Sequence, residues 1–565
     1  MFYLALVCCS VYFVDMYIAR ATWPSSNGKS YESIYLRESY REGTHVRKRN
    51  IANLTHCDPK EIAAIELALR HKNDLTVLAS LEQIELHQGP SVGAVWTVYQ
   101  VARRWDLHHI LGENFSGQLA LWQVLARVLE QGSRLSAVRL VAVHAASAVL
   151  GWQRGFDEND LYDNLTWLSE QQKDIENQLF ARRGKEKPQL FLYDVTSSYL
   201  EGDHNAFGAY GYGRDGKKNK KQIVIGLLCD AQGEPVSVEV FRGNTQDTQT
   251  FAAQVNKASE RFGCERVTFV GDRGMIKSGQ IAELAKVGFH YITAITKPQI
   301  EALLKAGLLQ MALFDSAVCE VAQDGVRYVL RRNPVRAEEI AVSRADKQAR
   351  VEQLLVKRNG YLREHPRAAV ATAEKALRAR IQQLKIDAWL QVEVQGRTLV
   401  LRVDSAAREE AAQLDGCYVI KTDLPVSAAS TQEVHDRYKD LTQVEQAFRT
   451  CKTIHLETRP IHVRTEAHTR AHVLVVMLAY LIRRVLSRAW VALDVTVEEG
   501  LQQLKALSST EMKSKDGGSC LRIPTPNPAC RDLLQALDIR LPGVLPNVKV
   551  RVDTRKKLQE RRKPR

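Results

Sequence analysis

The order of predicted strands and helices between residues 189 and 295 is the feature that most constrains the fold. Three strand-like runs come first, with a tight turn at residues 230–234 between the second and the third. Two helix–strand pairs follow, so the order predicts an α/β fold with a mixed sheet and helices on its faces. The predicted elements are strands at 189–195, 222–229 and 235–241, a helix at 247–262, a strand at 266–271, a helix at 278–287 and a strand at 289–295.

The regions on either side of this core have a different pattern. A short hairpin pattern at 30–50 precedes helical periodicity, which continues to residue 183 with no strand pattern. The helices are predicted at 59–71, 93–105, 116–130, 134–150 and 158–183. We therefore expect a mainly helical N-terminal region.

Residues 297–415 interrupt the core pattern. Strand pairs are predicted at 317–331 and 389–403, around long charged helices at 335–385, which indicates a β-rich insertion. A strand at 417–421 and a helix at 431–452 then resume the core. The predicted domains are the N-terminal region at 16–185, the core at 186–296 and 416–495, the insertion at 297–415 and a C-terminal region at 496–565.

Neither apolar stretch of the chain is long enough to span a bilayer, which takes about 20 residues. Residues 1–14 carry no charge but lack the features of a signal peptide, so we expect 1–15 to be an upstream extension and Met16 the true start. Residues 473–482 suit a buried core helix. No two of the ten cysteines have Cys-x2-Cys spacing, so reduced thiols in a cytoplasm are expected.

The charge balance favours a polyanionic partner. The 565 residues contain 79 Lys+Arg and 65 Asp+Glu, a formal net charge of +14. Residues 549–565 hold nine Lys/Arg and two acids, so this tail carries +7. The tail is interpreted either as a solvated segment or as an arm that contacts the phosphate backbone of a nucleic acid.

Two aspartates are predicted at equivalent strand ends. Asp194 ends the first strand of the core and Asp272 follows the fourth, so both are expected at one edge of the sheet. A single carboxylate there is usually a cap or turn residue. Two of them indicate a divalent metal site, because such ions need clustered oxygen ligands.

The helix at 431–452 supplies a third acid. Tyr438, Glu445 and Lys452 are spaced by seven residues, which is close to two turns, so they share a face that Arg449 joins. An aromatic residue, an acid and two bases suit a surface that binds metal and phosphate. The alternative is a solvated helix with a Glu445–Arg449 ion pair.

These motifs resemble those of DDE transposases from bacterial insertion sequences. Residues 438–452 read Tyr-Lys-Asp-Leu-Thr-Gln-Val-Glu-Gln-Ala-Phe-Arg-Thr-Cys-Lys, similar to the Tyr-x2-Arg-x3-Glu-x6-Lys signature of one such family. The sequences around Asp194 and Asp272, and the segments 243–248 and 455–460, also resemble that family. The signature's arginine position is Leu441 here, so its phosphate contact is either missing or supplied by Lys439 or Arg449.

The resemblance implies a ribonuclease H-like fold and a cut-and-paste transposase. It implies that Asp194, Asp272 and Glu445 are catalytic and bind two Mg²⁺ ions, with Mn²⁺ as a substitute. It further implies a bacterial, nucleoid-associated protein that binds terminal inverted repeats and target DNA, as a homodimer in the DNA complex, with no membrane partner. The N-terminal region, with Arg47, Lys48 and Arg49, is the candidate for repeat binding. The candidate DNA-binding side chains are Tyr438, Lys452, Arg449, Lys439 and Arg273.

Three further patterns resemble known binding motifs. The glycines of Gly211-Tyr-Gly-Arg-Asp-Gly216 match a nucleotide-binding fingerprint, but the segment precedes a strand and not a helix. The bases that follow are interpreted either as DNA contacts or as part of an ordinary solvated loop, namely Lys217, Lys218, Lys220 and Lys221. His468-x3-His472 has a metal-binding spacing, although a structural pair or a DNA contact is favoured. The adjacent His108 and His109 have no spacing that predicts a site.

The sequence is also compatible with two other functions. One is a DNA-binding remnant that has lost catalysis, although all three acids are present. The other is a ribonuclease H-like nuclease that cuts DNA without strand transfer.

Overall fold

The structure is a computed structural model that describes residues 15–24, 30–42, 45–72, 84–184, 187–217, 219–453, 455–514, 518–548 and 550–554. The predicted extension up to residue 14, Lys218 and residues 555–565 of the basic tail lie outside the described residues. The described residues divide into two compact units. One runs to Asn164 and resumes at Ile482, and the other is Leu165–Leu481.

The chain begins with a three-stranded antiparallel sheet in the order β1-β2-β3. The predicted hairpin at 30–50 is therefore part of a larger sheet, and the first segment of the N-terminal region is not helical. Helix α1 follows, with an Asp58 capping box at its start, and its Ile62 packs against Ile34 and Leu54. The elements are β1 (Asp15–Pro24), β2 (Ser30–Glu42), β3 (His45–Asn53) and α1 (Pro59–Arg70).

Six helices follow a strand that the sequence pattern did not predict. This strand is β4 (Ile84–Ser91). The predicted helix at 134–150 is two helices, because the chain turns extended at His144. The helices are α2 (Gly93–Arg104), α3 (Leu107–Ile110), α4 (Phe115–Leu129), α5 (Arg134–Val143), α6 (Ala146–Leu150) and α7 (Glu158–Ala181).

The predicted order of the core, three strands and then two helix–strand pairs, is confirmed. The first three strands form an antiparallel meander, and the last two join it in parallel to the first. The predicted helix at 247–262 is α-helical to residue 256 and then forms a π-helical turn. The elements are β5 (Leu190–Tyr199), β6 (Gln222–Asp230), β7 (Pro235–Arg242), α8 (Asp247–Asn256), β8 (Thr268–Gly271), α9 (Ser278–Lys286) and β9 (His290–Ala294).

The region 297–415 differs from the predicted β-rich insertion. Its first strand pair does not stand apart but extends the core sheet through β14, giving eight strands in the order β10-β11-β14-β9-β8-β5-β6-β7. The rest is mainly helical, with one hairpin. The elements are α10 (Lys297–Lys305), β10 (Cys319–Gln323), β11 (Val326–Arg332), α11 (Pro334–Glu364), α12 (Val370–Leu384), β12 (Leu390–Gln395), β13 (Thr398–Val403), α13 (Ser405–Gln413) and β14 (Cys417–Thr422).

The predicted helix at 431–452 is interrupted at Asp440 and becomes two helices. The strands near the C-terminus pair with β4 in the order β17-β16-β15-β4, so the two ends of the described chain build one unit. The elements are α14 (Thr431–Lys439), α15 (Leu441–Lys452), α16 (Glu466–Trp490), α17 (Val497–Lys505), β15 (Ser508–Ser514), β16 (Ser519–Arg522), α18 (Pro528–Ala536) and β17 (Val544–Pro546).

The two faces of the core sheet are covered differently. On one face, Phe191 and Tyr193 of β5 join a cluster with Phe251 of α8 and Leu284 of α9. On the other face, side chains of α15 and α16 pack over β6 and β7. The segment 473–482 lies within α16 and all ten of its residues are buried, as predicted. In the described part of the chain, no helix is long and apolar enough to cross a membrane.

Candidate active site

Asp194 lies within β5 and not at its end, which corrects the predicted position. Side chains of a strand alternate between the two faces of a sheet. Tyr193 and Val195 enter the cluster on one face, so Asp194 points to the other, the face on which α15 packs. The strand runs on to Tyr199 because its pairing with β6 continues to Gln222.

Asp272 is the neighbour of Asp194 across the parallel pair β5–β8. The parallel register ends with Tyr193 opposite Gly271, so the next residue of each strand is an aspartate. Each carboxylate accepts a hydrogen bond from the amide that follows it, at 2.7 Å. The predicted placement of both acids at one sheet position is thus correct, although β5 extends past it.

Glu445 reaches the same place from α15. It lines an open cleft of about 370 Å³ together with Asp194, Asp272 and Lys452. Tyr438 also turns towards the cleft, and its hydroxyl lies 3.4 Å from Oδ1 of Asp272. The face predicted from the seven-residue spacing therefore persists through the break at Asp440. Glu445 and Arg449 are both exposed, and they form no ion pair with each other in the described part of the chain.

The acids that line the cleft fall into two groups, those that pair with bases and those that do not. The charged residues of the lining are Asp194, Asp215, Asp247, Asp272, Glu445, Arg214, Arg449, Lys452 and Arg459. Two of the acids are neutralised, since Asp247 pairs with Arg214 at 2.6 Å and Asp215 pairs with Lys452 and Arg459. Within the described residues, the other three acids form no ion pair, so the negative charge concentrates at Asp194, Asp272 and Glu445.

This concentration shows in the ionisation of Asp194. Burial raises its pKa, the charges of Asp272 and Glu445 add to the increase, and the Val195 amide and Arg214 oppose it, with a result of about 7. A carboxylate in such surroundings is stabilised by a cation. The donor set, three carboxylates with hard oxygen ligands, fits a divalent ion such as Mg²⁺. Their oxygens are not gathered within 4.8 Å of one another as a one-ion cluster would be.

Asp215 is a residue of the site that sequence reasoning missed. Its side chain is 3 % exposed and lies between two bases: its Oδ1 is 2.5 Å from Lys452 Nζ and 2.5 Å from Arg459 Nη1. Its Oδ2 accepts the amide hydrogen of Tyr199. Lys452 also donates to Thr196 Oγ1 at 2.8 Å. Asp215 lies within the glycine-rich segment 211–216, which the sequence pattern marks as unusual. The contact of this loop with α15 is tertiary, and no local pattern predicts it.

The other predicted DNA-binding side chains are at the surface. Lys439, Arg449 and Arg273 are exposed, whereas Leu441 at the signature's arginine position is buried and 8 % exposed. The bases of the loop have partners within the protein. Lys217 lies 6.0 Å from the ring of Tyr199, Lys220 pairs with Glu201 at 3.1 Å, and Lys221 lies 3.9 Å from Asp203.

The remaining patterns take structural roles. The glycines at 211–216 lie in the loop between β5 and β6 and lead into a strand, as their context predicted. His468 Nε2 lies 3.2 Å from Thr166 Oγ1, and His472 Nε2 lies 3.3 Å from the Thr458 carbonyl oxygen. These contacts fit the predicted structural pair.

Two adjacent parallel strands and a helix that together present Asp, Asp and Glu over one face of a mixed sheet define the class of DDE enzymes. The model of the transposase DDE domain family matches residues 185–482, more than half of the chain, and the protein belongs to this family. The model of the IS1634 family transposase N-terminal domain matches residues 22–77. The protein is an insertion-sequence transposase, and enzymes with this domain use divalent metal ions.

Two solved structures are similar to this chain. One is the piggyBac transposase synaptic complex with hairpin DNA, at 9 % identity and a TM-score of 0.35, covering 69 % of this chain and 70 % of that chain. The other is the Mos1 transposase paired-end complex with the left transposon end, at 13 % identity and a TM-score of 0.14, covering 31 % and 57 %. No curated protein matches the sequence.

Proposed function

We propose that this transposase cuts DNA at the ends of its element and joins those ends to target DNA with one ribonuclease H-like active site. The supporting observation is the convergence of Asp194, Asp272 and Glu445 on one cleft in which the other acids are already paired with bases. The order β7-β6-β5-β8-β9, antiparallel and then parallel, supports the ribonuclease H-like interpretation.

We propose Mg²⁺ as the physiological ion, with two ions shared by the three carboxylates. When bound, two such ions stabilise the attacking and leaving oxygens of an in-line displacement at phosphorus. Asp194 would be the ligand best suited to both ions, because it is the least exposed of the three acids and lies within range of the charges of the other two. The exposed Asp272 and Glu445 then flank it from the strand side and the helix side.

The bases of the cleft hold the DNA phosphates in this proposal. Lys452, Asp215 and Arg459 together carry one net positive charge at a fixed position, since Asp215 binds both cations at 2.5 Å. Such a preorganised cationic group can bind a phosphate without the side-chain ordering that a free lysine requires. The signature's arginine position, one turn before Glu445, is Leu441 in this chain. Arg449 instead places an exposed guanidinium one turn after Glu445.

The DNA ligands are the terminal inverted repeats and the target, and two copies of the chain bring two ends together. The candidate repeat-binding element is β3, where Arg47, Lys48 and Arg49 are exposed on an edge strand. Positive side chains along an exposed strand suit contact with the phosphate backbone.

The test is cleavage of a labelled DNA that carries the element's own ends, with and without Mg²⁺. Asp194→Asn, Asp272→Asn and Glu445→Gln should each reduce cleavage below about 1 % of the wild-type rate, a loss of at least about 2.7 kcal/mol of transition-state stabilisation. DNA binding by these variants should stay close to wild type. The control is Glu301→Gln, which removes an exposed acid of α10 and should retain full activity.

The products separate the other candidate functions. Wild-type-like strand transfer by any of the three variants contradicts the assignment of the active site. Cleavage without joined products identifies a nuclease, and binding without cleavage by the wild type identifies an inactive remnant.

A further inference from the structure

A second group of metal-ligating side chains lies outside the cleft, at the end of α2. Asp106, His108 and His109 each place one ligand atom within 4.8 Å of the other two. Oδ1 of Asp106 is 3.8 Å from Nδ1 of His108 and 3.9 Å from Nε2 of His109. Among the described residues, no other three side chains of His, Cys, Asp or Glu bring their ligand atoms within this distance of one another.

His109 is oriented in the manner of a metal ligand. Its Nδ1 lies 3.0 Å from Oε1 of Glu113, so the other ring nitrogen, Nε2, is the one that faces Asp106. Histidines that bind metals usually donate their second ring N–H to a carboxylate, which fixes the tautomer and leaves a lone pair on the other nitrogen for the ion. Glu113 fulfils that role here.

His108 supplies an independent observation. Its Nδ1 atom is buried and has no hydrogen-bond partner in the part of the chain that the structure describes. A buried polar atom without a partner destabilises the folded state, so such an atom generally has one in a folded protein. The Nδ1 atom belongs to the same three-atom group, and an ion there would satisfy it.

We propose that Asp106, His108 and His109 bind one divalent transition-metal ion of the Zn²⁺ type, with a fourth position open to water or another ligand. Two imidazole nitrogens and one carboxylate oxygen match the ligand preference of Zn²⁺, whereas Mg²⁺ and Ca²⁺ prefer oxygen. Tetrahedral ligands about 2.1 Å from zinc lie about 3.4 Å apart, so the two measured separations need to contract by about 0.5 Å. Both separations share Oδ1 of Asp106, whose side chain is 45 % exposed and can turn to supply that movement.

The charges around the group are mixed. The Asp106 and Glu113 carboxylates lie beside the two imidazoles, at 3.8 Å from His108 and 3.0 Å from His109, whereas the positive charge of Arg103 acts on His108 from α2. The ion would be held by α3 and the short segments on either side of it, between α2 and α4, at a site that shares no residue with the candidate active site. The proposal therefore does not depend on the proposed function.

The experiment is Zn²⁺ binding by the full-length chain, measured after chelator treatment by competition with a chromophoric zinc indicator. Asp194→Asn/Asp272→Asn in the same chain keeps the cleft out of the titration. In that background we expect one equivalent of Zn²⁺ to remain. Adding His109→Ala should weaken its binding at least about 10-fold, and adding Glu113→Gln should weaken it about 10-fold.

Two further measurements sharpen the result. His87→Ala is the matched control, because it removes another exposed histidine that lies beside an acid, Glu85, and it should bind Zn²⁺ as its parent does. Co²⁺ in place of Zn²⁺ should give the intense visible absorption of a low-coordinate site, and His109→Ala should abolish it. His109 is exposed, so its replacement leaves the fold intact, which circular dichroism can verify.

The outcomes are decisive in both directions. One equivalent that survives loss of the cleft acids and is lost with His109 supports the site. The proposal is overturned if the cleft variant binds no Zn²⁺, or if His109→Ala binds it as tightly as its parent. Neither result bears on the cleavage test, which needs DNA and Mg²⁺.

Discussion

At the scale of single residues, the chemistry of the cleft follows from which acids have partners. Asp215 and Asp247 are paired with bases, and they organise Lys452, Arg459 and Arg214. Asp194 forms no ion pair within the described residues, and its pKa rises to about 7 because it is buried beside two further acids. The same fold thus contains structural carboxylates and carboxylates suited to a metal ion, and the neighbouring bases make the difference.

The elevated pKa of Asp194 predicts how the metal-free protein responds to pH. Its folded-state pKa lies above the ordinary value of 3.8, so the folded state binds more protons than the unfolded state between about pH 4 and pH 7. This residue therefore lowers stability as pH rises through that range. Asp194→Asn should melt at a higher temperature than wild type at pH 8 in EDTA, with a smaller difference at pH 4.

Calorimetry from pH 4 to pH 8 measures this effect. Mg²⁺ should raise the melting temperature of the wild type at pH 8 more than that of Asp194→Asn, because only a folded site binds the ion. Equal melting temperatures of the two proteins at every pH would show that Asp194 carries no uncompensated charge.

Asp215 is predicted to act as a positioning residue. Asp215→Asn removes the negative charge that holds Lys452 and Arg459. The NH₂ group of the new amide also has to face either these two cations or the Tyr199 amide, and it can accept a hydrogen bond from neither. We expect the cleavage rate constant to fall about 10- to 100-fold, the cost of a small misplacement of a catalytic group. DNA affinity should stay equal or increase, since one negative charge is removed. The rate constant and the DNA dissociation constant are measured separately.

A matched control is Asp203→Asn, whose carboxylate is 75 % exposed and lies 3.9 Å from Lys221. It should change neither quantity. A proportional loss of rate and affinity in Asp215→Asn would indicate a general structural role instead.

At the scale of elements, the core sheet continues across the inserted region. Arg332 ends β11 and pairs with Cys417 at the start of β14, while the Asn333 amide donates to the Gly416 carbonyl at 2.9 Å. The chain therefore leaves and re-enters the sheet at one point. The helices α11 and α12 and the hairpin β12–β13 share their own hydrophobic cluster. The inserted region is thus a separate packing unit on a continuous sheet.

This geometry predicts that residues 334–415 can be removed. Joining Asn333 to Gly416 leaves Arg332-Asn-Gly-Cys417, and Asn-Gly is the preferred two-residue loop of a β-hairpin. Gly416 already has a φ of +73°, as such a turn requires. The main loss is Leu414, which packs against Leu330 and Val419, at about 2–3 kcal/mol. The shortened protein should fold cooperatively and melt about 5–10 °C lower.

Thermal unfolding followed by circular dichroism measures the result. The control joins Arg332 directly to Cys417, which leaves no turn residues and should prevent β11 from pairing with β14. Failure of the Asn-Gly variant to fold would mean that the inserted helices are required for the core sheet.

At the scale of the whole molecule, the net charge of +14 is spread unevenly. Residues 555–565 contain seven Lys/Arg and one Glu, a net charge of +6. Truncation after Thr554 removes them and keeps residues 550–554, where the Asp553 amide donates to the Phe156 carbonyl. If the tail binds phosphates, the slope of log binding constant against log salt should become shallower by up to about 6, since each phosphate that a base neutralises adds about 0.9 to that slope.

Fluorescence anisotropy with labelled DNA at several salt concentrations measures this slope. A full-length variant with the seven bases of the tail replaced by Gln controls for chain length and should behave like the truncation. An unchanged slope would favour the alternative interpretation, a solvated tail.

The sequence alone determined the order of the core strands, the three acids and the buried segment 473–482. These features rest on local periodicity and on spacing within a helix, which the fold preserves even across the break at Asp440. Tertiary structure decided the features that depend on distant partners. They include the addition of β10 and β11 to the core sheet, the pairing of β4 with β15, and the contact between Asp215 and Lys452.

The two histidines beside Asp106 show the same limit. Adjacent residues of a helix point about 100° apart, so His108 and His109 predict no common ligand. The four-residue helix α3 and the left-handed Asp106, with a φ of +58°, bring the two rings to a centroid distance of 3.9 Å. Local patterns report which face a side chain occupies. Backbone turns and chain crossings decide which side chains meet, because those contacts join segments whose spacing carries no periodic signal.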